Sequence, residues 1–330
     1  MKRIFRLNTK NEDIRFWTSR LDLAIEADSL LRGDDNAEIE GVAEKVVRQN
    51  GALIHIISIL DRRGAQRMGR PEGRYITIDI PTGSDDELTA AIAGVTAGQL
   101  APLLPLPITG QPLLVAGLGN NSAIPDALGP RVVERTCATR HLFQQKSRLA
   151  EIAPVCTFAP GVLGNSGIES TEMLQSICLN IRPAAVIVAD SLAAASVTRV
   201  GTTIQISDTG IKPGSGVDNR RGRIDSSLTG CPVIAIGVPT VVDSAAIIAE
   251  TAGMLDDYWN GKHTAKPLTA DAAACRYAEA KLLKRFQGKL MVTPKDIDEL
   301  IARDAEIIAA AIAITVHPAA DKSNYRRFLC

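Results

Sequence analysis

Asp126 and Asp190 each follow a continuous apolar run, and acids in that position can do chemistry. In LLVAGLGNNSAIPDALGP, residues 113–130, the run opens into a Gly/Asn/Ser loop, a proline and the lone carboxylate Asp126. In AAVIVAD, residues 184–190, a second run ends on Asp190. In an open α/β sheet, reacting groups gather beyond the carboxyl ends of the strands. If the two strands are neighbours, the two carboxylates face one crevice. Two acids held close in a partly dry cleft cannot both ionise cheaply, so one keeps its proton while the other stays charged. The charged member can draw a proton from water attacking an amide carbonyl, and the protonated member can assist the carbonyl oxygen or the leaving amine. The same positions suit a purely structural role, because each Asp precedes a helical pattern and an N-cap carboxylate accepts orphan N–H groups. From spacing alone both readings stay open.

Other motifs carry less. GLGN at 117–120 has the start of a dinucleotide fingerprint, but Ser122 stands where the third glycine belongs and Pro125 interrupts the helix entry. There is no GxxxxGK[ST], HExxH or GxSxG string. Ser215, in KPGSGVDNRR, sits in a loop composition that suits an anion site or a plain turn. His141 follows Arg140 near the end of a helical pattern and takes no assigned role. The histidines His55, His141, His263 and His317 lie far apart and show no metal-ligand spacing. No metal and no cofactor is assigned.

The elements that must hold the two acids are legible from hydrophobic period. LLVAGLG (113–119) precedes a helical pattern at 127–140, AAVIVAD precedes SLAAASVTRV, and PVIAIGVPT (232–240) precedes VVDSAAIIAETAGML. Continuous rather than alternating apolar runs predict strands covered on both faces, as in a parallel sheet between helices. Upstream, ALIHIISIL and RYITIDI read as strands joined by the turn-rich RRGAQRMGRPEG, giving a β-rich part. Ser84-Asp85-Asp86-Glu87 has the S-x-x-E form of a capping box ahead of LTAAIAGVTAGQL. APLLPLPITGQP then leads to the strand at 113. Near the other end, Thr293 as N-cap and Pro294 at the first helical position predict a long helix. Its apolar run IIAAAIAITV (307–316) is too short to span a bilayer and reads as packed interior.

The bulk properties narrow the partners. The 330 residues carry 37 Lys+Arg and 37 Asp+Glu, so nothing predicts a polyanion-binding surface, and neither nucleic acid nor membrane is expected as a direct partner. The charged opening MKRIFRLNTKNEDIRFW has no signal-peptide core. Six scattered cysteines with no CxxC pair argue against a zinc knuckle or a disulfide-stapled secreted scaffold and fit a reducing cytoplasm.

Several long segments, in order, resemble the germination protease family, the spore proteases of endospore-forming bacteria. They are RLDLAIEA (20–27), GLGN with IPDALGP (124–130), TRHLF (139–143), APGVLGNSGIESTEML (159–174), VIVADSLAA, TTIQISDTGIKPGSGVDNRR (202–221), CPVIAIGVPTVVDS (231–244) and VTPKDIDELI. The resemblance implies an atypical aspartic endopeptidase that starts degradation of small acid-soluble spore proteins at germination. It implies a three-layer α/β/α fold with a mostly parallel sheet, similar to hydrogenase maturation endopeptidases, with the β-rich part over about residues 21–110. The family's catalytic aspartates match Asp126 and Asp190, the pair reached above from position alone. The resemblance further implies a zymogen with its propeptide within residues 1–20, a single peptidase domain over 21–330, a homo-tetramer, and a cytoplasmic place in the spore. Three positions depart from the family pattern: Ala195 where D-A-L-A-A-R ends in arginine, Asp218 in place of glycine, and Asn121 in place of a common tryptophan. A metal-dependent peptidase using the same carboxylates, or a catalytically silent binding protein of the same fold, are the alternatives.

Overall fold

The computed structural model describes residues 22–33, 37–81, 85–143, 150–213, 222–260 and 290–330, with Gly83 and a few positions between 277 and 286. The expected propeptide (1–20), Ser84 of the expected capping box, and Ser215 and Asp218 of the glycine-rich loop lie outside the described residues.

Helices and strands alternate along the chain as α1 (Ala24–Arg32), β1 (Val42–Gln49), β2 (Ala52–Ile59), α2 (Arg62–Met68), β3 (Gly73–Asp79), α3 (Asp86–Leu100) and β4 (Leu113–Gly117). After these come α4 (Leu128–Arg135), β5 (Val155–Phe158), α5 (Ser170–Ile181), β6 (Ala185–Ala194), β7 (Thr203–Ser207), β8 (Val233–Asp243), α6 (Ser244–Asn260), β9 (Met291–Val292) and α7 (Ile297–Val316). Among the described residues all nine strands join one mixed sheet in the order β1-β2-β3-β7-β8-β6-β4-β5, with β9 on β8. Its parallel part is β5-β4-β6-β8. The β-rich N-terminal strands continue the same sheet in antiparallel pairing through β3 and β7. The expected α/β class with helices flanking the sheet is the class observed, but the sheet is mixed rather than mostly parallel, because the N-terminal strands join it through antiparallel β3 and β7.

The unbroken apolar runs have a direct structural cause. On β4, Leu113 and Val115 face a core shared with α3, α4 and α7, while Leu114 and Ala116 face a second cluster with Leu174 and Cys178 of α5. Both faces are covered, so neither parity of the strand can be polar. The run 307–316 is interior as expected, with Ile307, Ile308, Ala309, Ala310, Ala311 and Ile312 all buried. Among the described residues no helix is long and apolar enough to cross a membrane.

Four local readings change. The segment SLAAASVTRV forms no helix: β6 runs on to Ala194, and Val197–Arg199 is a single 3-10 turn. The helix expected from Thr293 starts at Ile297 instead, because the Thr293 hydroxyl donates to Thr240 O at 2.9 Å. α3 begins at Asp86, and its cap is Asp85, which accepts the Leu88 N–H at 2.7 Å. The pattern at 127–140 breaks after Arg135, where Thr136 bridges to Leu329. Beside that bridge Cys137 and Cys330 form a disulfide across 193 residues, a pairing their scatter gave no sign of. Cys156, Cys178 and Cys231 are free thiols.

Candidate active site

β4 and β6 are neighbours, paired in parallel from Leu113↔Ala185 to Gly117↔Ala189. Asp190 is therefore one residue past the last β4 pair, and the loop bearing Asp126 leaves the sheet at that same edge. The Leu118 N–H donates to Ala189 O at 2.8 Å, which fixes the first step of the loop against the residue before Asp190.

Asp126 closes a 3-10 turn, Ile124–Asp126, whose Pro125 presets the backbone. Its carbonyl accepts the Asn120 N–H at 2.9 Å and its own N–H donates to Ala123 O at 2.7 Å. This return requires Gly119, at φ +112, because a Cβ there would collide with the Asp126 carbonyl. Gly129 is equally constrained: a Cβ would lie 2.6 Å from Ala189 O and press on the Leu118 backbone. The helix start thus approaches the β4–β6 junction as closely as backbone can.

The far side of the turn is held by β8. Leu192 pairs with Pro239 and Ala193 with Val241, so Thr240 is the extra residue of a β-bulge, a device that re-aims a side chain. Its hydroxyl donates to Pro125 O at 2.6 Å. The turn is thus tied to three chain segments: its own loop, β8, and through Thr293 the lead-in to α7.

Neither acid occupies a helix N-cap position. The residue flanking the start of α4 is Ala127, whose methyl can accept nothing, with Asp126 in the turn before it. Asp190 lies inside β6 with no helix following, 7% exposed, and its Oδ1 accepts the Ser191 N–H at 3.0 Å. Asp126 is half-buried. The fold brings the two residues to one edge of adjacent strands, where a half-buried and a buried carboxyl have different access to water. Among the other residues singled out from sequence, His141 is exposed in a helical turn, and Asn121 is exposed and donates to Glu134 Oε1 at 3.0 Å. His55 is buried beside Glu44, and His317 is buried and accepts the Ala153 N–H on Nδ1 at 3.0 Å. Among the described residues no group of three or more His, Cys, Asp or Glu is placed to hold a metal ion.

Sequence reasoning missed one half-buried acid, Asp22, and two buried ones, Glu26 and Asp304. Asp22 and Glu26 abut β6 just past Asp190, and Glu26 is held up at about 7 by burial, against the lowering pull of Arg199. Their signal was present as two acids four apart around the wholly apolar Leu23, Ala24 and Ile25. Asp304, in the apolar α7, is also pushed up to about 7 by burial and pairs with Arg303, which donates to Gly201 O.

The chain matches the model of a family described as germination protease over residues 20–281. A germination protease of Clostridium perfringens is 40% identical over 322 residues, covering 94% of this chain and 98% of the relative. One from Caldanaerobacter subterraneus is 39% identical over 325 residues, with 94% and 98% covered, and one from Bacillus thuringiensis is 34% identical over 359, with 94% and 97% covered. Among solved structures, a NiFe hydrogenase maturation protease from Thermococcus kodakarensis aligns with TM-score 0.33 and 14% identity, over 65% of this chain and 98% of that one, a likeness too remote to carry weight. With near-complete coverage on both sides at 34–40% identity and a family match across most of the sheet, the chain belongs to the germination protease family and is a peptidase.

Proposed function

We propose that the protein is a sequence-specific endopeptidase that begins the degradation of small acid-soluble spore proteins, with Asp126 and Asp190 activating the attacking water. The observation that supports it is the parallel pairing of β4 with β6, which sets the Asp126 turn and Asp190 at one sheet edge. In this reading one carboxylate takes a proton from water as the oxygen adds to the substrate carbonyl. The other, protonated, donates to the carbonyl oxygen, giving a gem-diol; as the C–N bond breaks, the first carboxyl passes the proton it took from water to the departing amine and the second recovers a proton from a gem-diol hydroxyl, so the pair returns to its starting protonation. The two carboxyls differ in access to water, Asp190 being buried and Asp126 half-buried, and either can take the part of base in this scheme. The chain is made as a zymogen whose propeptide lies in residues 1–20, and it assembles as a tetramer in the spore interior.

The test is incubation of purified, N-terminally trimmed protein with a small acid-soluble spore protein, following discrete fragments by mass. Asp126→Asn and Asp190→Asn each abolish cleavage while leaving circular dichroism and the unfolding midpoint near those of the parent. Full turnover by either variant refutes the dyad. Substrate binding without turnover by the parent would instead identify a silent binding protein, and activity that survives exhaustive chelation removes the metal-dependent alternative.

A further inference from the structure

Beyond Ala189, β6 loses its neighbour on one side. β4 stops at Gly117, whereas β8 continues beside β6 to Ala194. In a strand, alternate residues send their N–H groups to opposite sides. Ala189 faces β4, since its carbonyl accepts from Leu118, so the N–H groups of Ser191, Ala193 and Ala195 point to the side that β4 has vacated. All three are met by carboxylates. Ser191 N–H donates to Asp190 Oδ1 at 3.0 Å, Ala193 N–H to Asp22 Oδ2 at 2.8 Å, and Ala195 N–H to Glu26 Oε1 and Oε2 at 2.9 and 3.0 Å.

The two outer acids are themselves anchored. Gln205 of β7 accepts the Ala24 N–H at 2.6 Å and donates to Asp22 O at 3.0 Å, which bolts the start of α1 to the sheet. Glu26 lies with its Oε1 3.8 Å from Arg199 Nε, and Arg199 Nη1 donates to Asp79 Oδ1 at 3.2 Å. α1 therefore stands in for the missing strand, using side-chain oxygens where a partner strand would use carbonyls.

From this geometry we infer that Asp22 and Glu26 are positioning residues for Asp190, holding the strand that carries it on the side where the sheet ends. The inference rests on Asp190 being a catalytic group. Asp190 sits at the step from two-sided to one-sided support, and its own carboxylate is oriented by the N–H of the next residue in the clamped segment. Loss of a clamp frees that segment to twist, which carries the Asp190 oxygens away from the reacting atoms, and a displacement near 1 Å can cost on the order of a hundredfold in rate.

Steady-state cleavage of a small acid-soluble spore protein tests this, each variant measured well below its unfolding midpoint. Asp22→Ala is expected to lower kcat at least tenfold with KM within twofold, and Glu26→Ala to lower it by a smaller factor. Asp22→Asn, which keeps an acceptor oxygen at the same reach, is expected to recover kcat to within threefold of the parent. A role in stability alone would lower the unfolding midpoint and leave kcat per folded molecule unchanged. If Asp22→Ala does not fold, Asp22→Glu takes its place, keeping charge but moving the carboxylate out of register, with the same expected fall. Parent-like kcat in the Ala or Glu variant overturns the inference, as does equal loss in folded Asp22→Asn, which would assign the effect to charge. Asp190→Asn in the same assay separates the two layers: its full activity would remove the dyad itself, whereas an inactive Asp190→Asn beside fully active Asp22 variants would remove only the positioning role.

Discussion

Replacing Glu26 by Gln is expected to flatten the dependence of stability on pH between about pH 5 and 8. Glu26 is 2% exposed, and burial lifts its carboxyl from the ordinary 4.5 to about 7, with Arg199 and the N–H groups of Ala195 and Ser196 pulling the other way. Between those two values the folded chain keeps a proton that the unfolded chain releases. Stability then falls as pH rises, because the native state binds the extra proton. The displacement corresponds to roughly 3 kcal/mol lost between the acid end of the window and pH 8. Gln keeps an oxygen for Ala195 and carries no charge to desolvate, so the variant loses this term, offset by a pH-independent cost from the vacated Arg199. Asp304, also raised to about 7, and His317, lowered to about 4 by burial, titrate alike in both proteins and cancel in the difference. Urea unfolding at pH 5 and pH 8, with the disulfide intact, measures it: the parent-minus-variant stability should drop by roughly 3 kcal/mol on going to pH 8. Parallel profiles for the two proteins would show that Glu26 is not a desolvated carboxyl, and the account of α1 as a buried acidic clamp would fail with it.

Two further perturbations probe the frame around the site. Gly129→Ala drives a methyl against Leu118 and Ala189 backbone atoms that cannot yield, so a cost of about 3 kcal/mol or more is expected, read as a lower urea midpoint together with loss of cleavage; parent-like stability would show that α4 can retreat from the junction. Cys330→Ser opens a loop closed over 193 residues and should cost about 2–5 kcal/mol. Its unfolding midpoint should match that of the reduced parent, and a midpoint unchanged from the oxidised parent would mean that the bridge does not constrain the unfolded chain.

The three continuous apolar runs ending near 117, 189 and 238 were enough to specify a sheet covered on both faces, because no half-exposed strand tolerates apolar residues at both parities. They also placed Asp126 past the end of its strand, a local property, whereas Asp190, expected to end its strand, lies inside β6, which runs on to Ala194. What local pattern could not decide was whether those strands touch, and therefore whether the acids share an edge. That came from the β4–β6 pairing. Long-range hydrogen bonding likewise overrode two good local signals. The helix expected over SLAAASVTRV gave way to strand because β8 and the carboxylates of Asp22 and Glu26 supply partners for its backbone. Thr293 left its capping position because Thr240, displaced by a bulge 53 residues away, offered its carbonyl. The Asp22–Ala193 and Glu26–Ala195 contacts span 171 and 169 residues, so no window of sequence contains both ends. Residue types and their spacing determined which groups could do chemistry and which face of each element had to be buried. Only the tertiary structure decided which of them meet, because an unpaired N–H is satisfied by whichever acceptor the folded chain brings within reach, however far away it lies in sequence.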